Sequence, residues 1–337
     1  MTPAMMPGNA AAVATSDGLA RRWTGRFGGR SIGIEADAAT ATLLAALPPT
    51  EPIPVAAPDL SIRFESGAPD PRDQADPAWR VHDRWARSEQ LRVRGDGGRR
   101  MIFDPFSRSV VSLGDGAGRI WFDTAQAFAP WVAAAPALQL LDWWGTPRGL
   151  LATHGAAVSF GGAAAVLLGP GGSGKSTFAV EAAERGHGFL GDDYVLVEPG
   201  FAPRVHALYR TAKLGRDRGD ALRRFSRLAE GEPDDDKDVF IAASADVVRS
   251  APIVAMIAPV IGDGSEPRLA PIGPADLVRR AAPSILRQMP GLEAEKLALL
   301  SRAARVLPCY RLDLCRDHGR NIGAVETLVA AGAGPHG

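Results

Sequence analysis

Apolar positions follow two regimes along the chain. Up to about residue 122 they come in short runs, alternating with polar ones or cut by glycine and proline. Leu60-Ser-Ile-Arg-Phe64 alternates most plainly, with the period of a half-buried strand. Residues 23–34, 91–93, 100–103 and 110–113 predict further short strands, 67–77 a turn-rich loop, and 38–47 a helix stopped by Pro48-Pro49. Residues 124–144 are apolar on most faces and predict one buried helix.

Beyond Leu150 the runs lengthen. Residues 152–160 and 163–168 are almost wholly apolar, and Gly161-Gly162 between them predicts a two-residue hairpin. A glycine loop follows, then a helix over 175–185 stopped by Gly186. One strand ends in Gly191-Asp192-Asp193 and another covers 194–197. Helices are expected at 219–228, 274–288, 293–305 and 321–331, and strands at 239–242, 253–261 and 310–314. This half reads as α/β.

Composition sharpens the division. A length of 337 residues predicts two unequal domains, here a tail over 1–20, a β-rich part over 21–140 and an α/β part over 141–337. All seven tryptophans lie between Trp23 and Trp144, and read as core rather than as a stacking surface. The only lysines are Lys175, Lys213, Lys237 and Lys296, so arginine supplies nearly all the positive charge. Lys+Arg equals Asp+Glu at 38 each, which leaves no overall field for nucleic acid or an anionic membrane. No apolar stretch is long enough for a membrane span. Cys309 and Cys315 have no metal-type spacing and are expected to be reduced thiols of a cytoplasmic protein.

The chemistry concentrates after the hairpin. Gly169-Pro-Gly171-Gly172-Ser173-Gly174-Lys175-Ser176 matches the phosphate-loop pattern, between an apolar strand and a helix. Glycines let backbone N–H groups turn toward phosphate oxygens, and the helix N-terminus adds a positive dipole end. Lys175 supplies a point charge for the outer phosphates, Ser176 a hydroxyl for Mg²⁺, and Thr177 continues the cradle. A two-residue turn at Gly161-Gly162 places His154 opposite Gly169. Asp192-Asp193 stand at a strand end, where adjacent side chains diverge. One carboxylate, Asp192, suits the metal, and the other, Asp193, the proton of an acceptor hydroxyl.

His154-Gly155, the loop, Arg185-Gly186-His187 and Gly191-Asp192-Asp193 together resemble the HPr kinase/phosphorylase family, over residues 150–197. The resemblance implies the mixed sheet shared with phosphoenolpyruvate carboxykinases, its phosphate loop fed by a hairpin, beside a smaller β-rich N-terminal domain. It implies ATP and Mg²⁺ as cofactors, Lys175 on the phosphates, Ser176 and Asp192 on the metal, Asp193 as general base and His154 as its assistant. It also implies a homo-oligomer. The family's Glu-Ile-Arg-Gly-like segment is absent, and residues 204–214 stand in its place. HPr as acceptor and the reverse phosphorolysis are therefore not implied.

Ala207-Leu208-Tyr209 with Lys213, and Cys309-Tyr-Arg-Leu-Asp-Leu314, are similar to segments of divergent members found with peptide maturation, including lasso-peptide kinases. That likeness implies a kinase acting on a serine of a peptide or small protein. Arg210, Lys213 and Lys237 are candidates to stabilise charge on the moving phosphoryl group. Asp234-Asp235-Asp236 reads as a solvated loop. The alternatives are a small-molecule kinase on the same scaffold and a nucleotide-binding regulatory protein.

Overall fold

The computed structural model describes residues 19–51, 58–67, 80–82, 91–96, 99–104, 107–114, 116–123, 127–231 and 236–332, with backbone alone at 19–20, 80–82, 91–96 and 220. The expected tail, most of the 67–77 loop and Asp234-Asp235 lie outside these residues.

Eight strands precede the hairpin: β1 (Leu19–Phe27), β2 (Arg30–Asp37), β3 (Leu60–Ser66), β4 (Arg80–His82), β5 (Leu91–Asp96), β6 (Arg99–Asp104), β7 (Ser109–Gly114) and β8 (Ala117–Phe122). They form one sheet in the order β1-β2-β3-β8-β7-β6-β5-β4. The helix expected over 38–47 is a short 3₁₀ turn, Ala41–Ala46, after the Asp37 carboxylate accepts from the Thr40 N–H and hydroxyl. The single helix expected over 124–144 is instead two, Pro130–Ala134 and Leu138–Gly145. Pro136 disfavours helix at the residue before it, and Ala137 takes a positive φ of 62°. Residues 124–126 are outside the described set.

The second part holds β9 (Leu151–Phe160), β10 (Ala163–Leu168), β11 (Gly188–Gly191), β12 (Tyr194–Glu198), β13 (Arg204–Ala207), β14 (Thr211–Gly215), β15 (Phe225–Ala229), β16 (Lys237–Ala242), β17 (Ser250–Ile261), β18 (Arg268–Pro271) and β19 (Cys309–Leu314). Helices Lys175–Glu184, Pro274–Gln288, Glu293–Val306 and His318–Gly332 complete a mixed α/β architecture. β17 runs parallel to β10 and β19, and antiparallel to β13. Because β9 also pairs with β10 and β12, the strands β10-β9-β12-β13-β17 close into a ring. The helix expected over 219–228 is replaced by a 3₁₀ turn, Arg216–Ala221, and by β15, whose pairing with β16 overrides local preference.

Every residue of β9 and β10 is buried. Ala157, Val166 and Leu168 join a core that runs from Trp23, Ile34 and Phe64 through Trp143 to Met256 and Leu300. Ala156, Val158 and Leu167 face a second core with Phe178, Phe189, Phe240 and Val325. Burial on both faces explains why these strands read as unbroken apolar runs rather than alternation. Trp23, Trp143 and Trp144 are core residues. Both cysteines are free and buried. No helix among the described residues is long and apolar enough to cross a membrane.

Candidate active site around the glycine loop

The hairpin delivers the loop as its glycines require. Gly161 and Gly162 have φ of 59° and 95°, the left-handed pair of a two-residue turn, and Leu168 pairs with Gly155. His154 is thereby the last β9 residue paired with β12, opposite Tyr194, and Gly155 the first paired with β10. A Cβ at Gly155 would stand 2.7 Å from the Leu167 carbonyl oxygen, so the residue after His154 must be glycine. Its N–H donates to the Asp193 carbonyl at 3.1 Å, tying the two segments together. Gly174, with φ of 94° and Leu314 Cδ1 2.5 Å from an added Cβ, turns the loop into the Lys175–Glu184 helix.

Lys175 is 5% exposed, and its Nζ donates to the Gly169 and Pro170 carbonyls at 2.9 and 2.8 Å. Its ammonium pKa is lowered by burial, against the pull of Asp192 and Asp193 and with the push of Lys237. Lys237 thus lies within electrostatic reach of the loop. It opens β16, opposite Gly215, and Lys213 lies two residues along the same face of β14. Ser173 is buried with an Oγ that has no hydrogen-bond partner among the described residues.

The two carboxylates part as strand-end neighbours must. Asp193 has φ of 64°, a left-handed conformation unusual outside glycine and best tolerated by Asp and Asn. His154 Nε2 is 3.1 Å from Asp193 Oδ1, and Lys213 Nζ is 2.8 Å from Oδ2. An ionised carboxylate only accepts, so Nε2 carries the proton of that bond. Burial pushes the Asp193 carboxyl up, but Lys213 and His154 outweigh it and hold it well below the usual carboxylate range. Asp192 is 1% exposed; its Oδ2 accepts the Lys213 N–H at 3.1 Å, and the Ser176 hydroxyl lies near enough to pull its pKa down. Here burial, with the Asp193 charge beside it, raises the pKa. Asp192 Oδ1 has no hydrogen-bond partner among the described residues.

A buried carboxylate oxygen without a partner, next to a hydroxyl, fits a hard cation. Ser176 and Asp192 are the residues that would hold Mg²⁺. Among the described residues no cluster of three or more His, Cys, Asp or Glu fits a metal, and a phosphate-bound Mg²⁺ needs only one or two protein ligands. Thr177 faces a cavity of about 290 Å³ with Gly174, Phe178, Ile261, Leu314 and His318.

The structure therefore brings His154, Gly169, Lys175, Ser176, Asp192, Asp193 and Lys213 together, with the exposed Lys237 in electrostatic reach. Arg210 goes elsewhere: its guanidinium donates to the Ala45 and Ala242 carbonyls, both at 2.8 Å, and to Ser244 Oγ at 3.3 Å. Two neighbours had no signal in the sequence. Ser284 Oγ, on the Pro274–Gln288 helix, shares its proton between the Ala281 carbonyl at 3.3 Å and the Gly169 carbonyl at 3.4 Å, and the Tyr194 hydroxyl donates to Gln288 Oε1. Only contact over about a hundred residues of chain reveals them.

No protein-family profile matches the chain, and no curated protein does. The chain is similar to the solved structure of the Hpr(Ser) kinase/phosphatase from Coxiella burnetii, at 12% identity over 53% of this chain and 94% of that one, with a TM-score of 0.29. A similarity of that size carries no functional weight.

Proposed function

We propose that the chain is an ATP- and Mg²⁺-dependent kinase that phosphorylates a serine hydroxyl of a peptide or small protein, in the maturation of a peptide product. The observation that carries this reading is the convergence of Lys175, Asp192, Asp193, His154 and Lys213 on one end of the glycine loop. A pure nucleotide binder has no use for an acceptor-side carboxylate held by both a histidine and a lysine.

The loop N–H groups and the helix N-terminus bind the phosphates, which displace the Lys175 ammonium from the two loop carbonyls. The cavity beside Thr177 takes the nucleoside, its volume of about 290 Å³ sitting at the lower edge of the roughly 300–1,000 Å³ usual for small ligands. Mg²⁺, held by Ser176 and Asp192, supplies neutralising charge on the outer phosphates. Asp193 takes the proton of the serine hydroxyl as the oxygen attacks the γ-phosphorus. An O–P bond forms, the bond from that phosphorus to the bridging oxygen breaks, and ADP leaves with the electron pair.

A base with so low a pKa is a weak one while Lys213 sits on it. The nucleotide phosphates compete for that ammonium, and its departure frees Asp193 for the acceptor. His154 keeps the carboxylate oriented throughout.

The test is transfer from γ-radiolabelled ATP to a panel of serine peptides, comparing wild type with Lys175→Ala and Asp193→Asn. Label on serine, lost in both variants, is the expected result. Tight ATP binding with no label on any peptide would overturn the reading.

A further inference from the structure

A second cavity is lined in part by Tyr194, the chain neighbour of Asp193. It is walled by Val111 and Ile120 of the N-terminal sheet and by Trp131 and Leu138 of the two short helices, with Tyr194 and Gln288 at its inner end. Tyr194 directly follows Asp193, and its ring centroid is 5.8 Å from that of His154. The Tyr194 hydroxyl donates to Gln288, which stands one helical turn beyond Ser284, the residue whose hydroxyl reaches the Gly169 carbonyl. One turn of helix is about 5.4 Å, so Gln288 ties the cavity lining to the loop while Tyr194 ties it to the base.

Its volume and lining define what it accepts. At about 90 Å³ it is far below the roughly 300–1,000 Å³ of a whole small-molecule site, and has room for a single side chain. Among its described lining residues there is no lysine, arginine or histidine, and its charged member is Asp104. A carboxylate or phosphate would find no counter-charge there, whereas an apolar side chain removes carbon surface from water.

We propose that this cavity is the acceptor subsite, seating one apolar side chain of the peptide next in sequence to the serine that Asp193 deprotonates. The proposal rests on the kinase reading above and gives it a substrate class: a peptide whose phosphorylated serine has an aliphatic or aromatic neighbour. It also gives the N-terminal sheet a role, since its strands form one wall of the subsite. Tyr194 is then a positioning residue, set between the subsite and His154.

Synthetic peptides carrying leucine, alanine, lysine or aspartate beside a single serine test this, with radiolabelled ATP and the full chain. Wild type is expected to use the leucine peptide with a kcat/KM about tenfold or more above the aspartate peptide. Val111→Phe, which fills the cavity from its wall, is expected to reverse the order of leucine and alanine through KM. Ser109→Leu, from the polar side, carries the same expectation should V111F not fold, and binding of a fluorescent ATP analogue controls for folding. Equal use of leucine and aspartate by wild type, or equal losses on leucine and alanine in the filled variants, overturns the subsite and leaves the kinase standing. ATP binding with no label on any peptide overturns both.

Discussion

Two lysines are buried in this protein, and their surroundings differ in kind. Lys296, 1% exposed, lies 2.6 Å from the Asp142 carboxylate and donates to the Met289 carbonyl at 2.6 Å. Its charge is cancelled in place, and the pair joins the Leu138–Gly145 helix to the Glu293–Val306 helix. Lys175, 5% exposed, rests on two loop carbonyls, neutral acceptors that an anion outcompetes. The facing carboxylates are engaged by Lys213 and His154 instead. A buried cation with a fixed counter-ion builds structure, and one left with displaceable partners marks a binding site. In a chain with only four lysines the contrast is easy to see.

The largest expected effect separates chemistry from structure at this site. Asp193→Asn keeps a residue that tolerates the left-handed backbone and keeps an acceptor oxygen for one of its two donors, but cannot take a proton. Loss of general-base catalysis predicts a fall in kcat of about 10²–10⁴-fold, with the Kd for ATP within about twofold of wild type. Phosphoryl transfer under saturating ATP measures it. Unchanged kcat would remove Asp193 from the mechanism.

Breaking the other lysine does the opposite. Lys296→Met strands the Asp142 carboxyl without its counter-charge and is expected to cost about 3–5 kcal/mol of stability in denaturant unfolding, leaving ATP affinity of the folded protein unchanged. The pair also has a pH signature. Burial pushes the Asp142 carboxyl from 3.8 up to about 6, despite Lys296. The native state therefore holds a proton that the unfolded chain has already released, so this group's contribution to stability falls as pH rises from about 4 through about 6. Unfolding free energies across that window should show the descent in wild type and lose it in Asp142→Asn.

The same contrast explains what sequence reveals. The hairpin, loop and helix from residue 151 to 184 were legible because each rests on local rules: a pair of glycines with positive φ, a glycine cradle, and apolar strands buried on both faces. Asp192-Asp193 were legible as strand-end neighbours, and the hairpin register brings His154 to the loop. Residues 124–144 and 219–228 carry helical patterns, but a proline break and a strand pairing with β16 decide those segments. Lys213 and Arg210, three residues apart, looked alike as candidate cations. Only tertiary placement sends one to Asp193 and the other to backbone carbonyls. Ser284 and Gln288 reach the site on a helix whose pattern, with Leu277, Ala281 and Ile285 buried, reports packing alone.

Lys213→Met sharpens the reading of Asp193. With the ammonium gone, burial regains its hold on that carboxyl and its pKa rises. A depressed base is active at all but the lowest pH, so the acid limb of the kcat/KM profile is expected to move to higher pH in the variant. kcat/KM reports the free enzyme, in which Lys213 sits on the base. If nucleotide phosphates draw Lys213 away, the limb in kcat moves less than the limb in kcat/KM. Equal movement would mean that Lys213 stays on Asp193 throughout turnover.

The smallest effect belongs to Arg210, and it completes the comparison between cations that serve the fold and cations that serve the site. Its guanidinium spans the Ala41–Ala46 turn and the end of β16 through the Ala45 and Ala242 carbonyls, and burial lowers its pKa. Arg210→Gln removes charge-assisted bonds to backbone oxygens and is expected to cost about 1–3 kcal/mol of stability. Phosphoryl transfer at saturating ATP and peptide should stay within about twofold of wild type, because nothing that Arg210 touches belongs to the loop. A drop of about a hundredfold in kcat with ATP affinity retained would correspond to roughly 2.7 kcal/mol of lost transition-state stabilisation. That result would return Arg210 to the phosphoryl group and require the β14 segment to move when nucleotide binds.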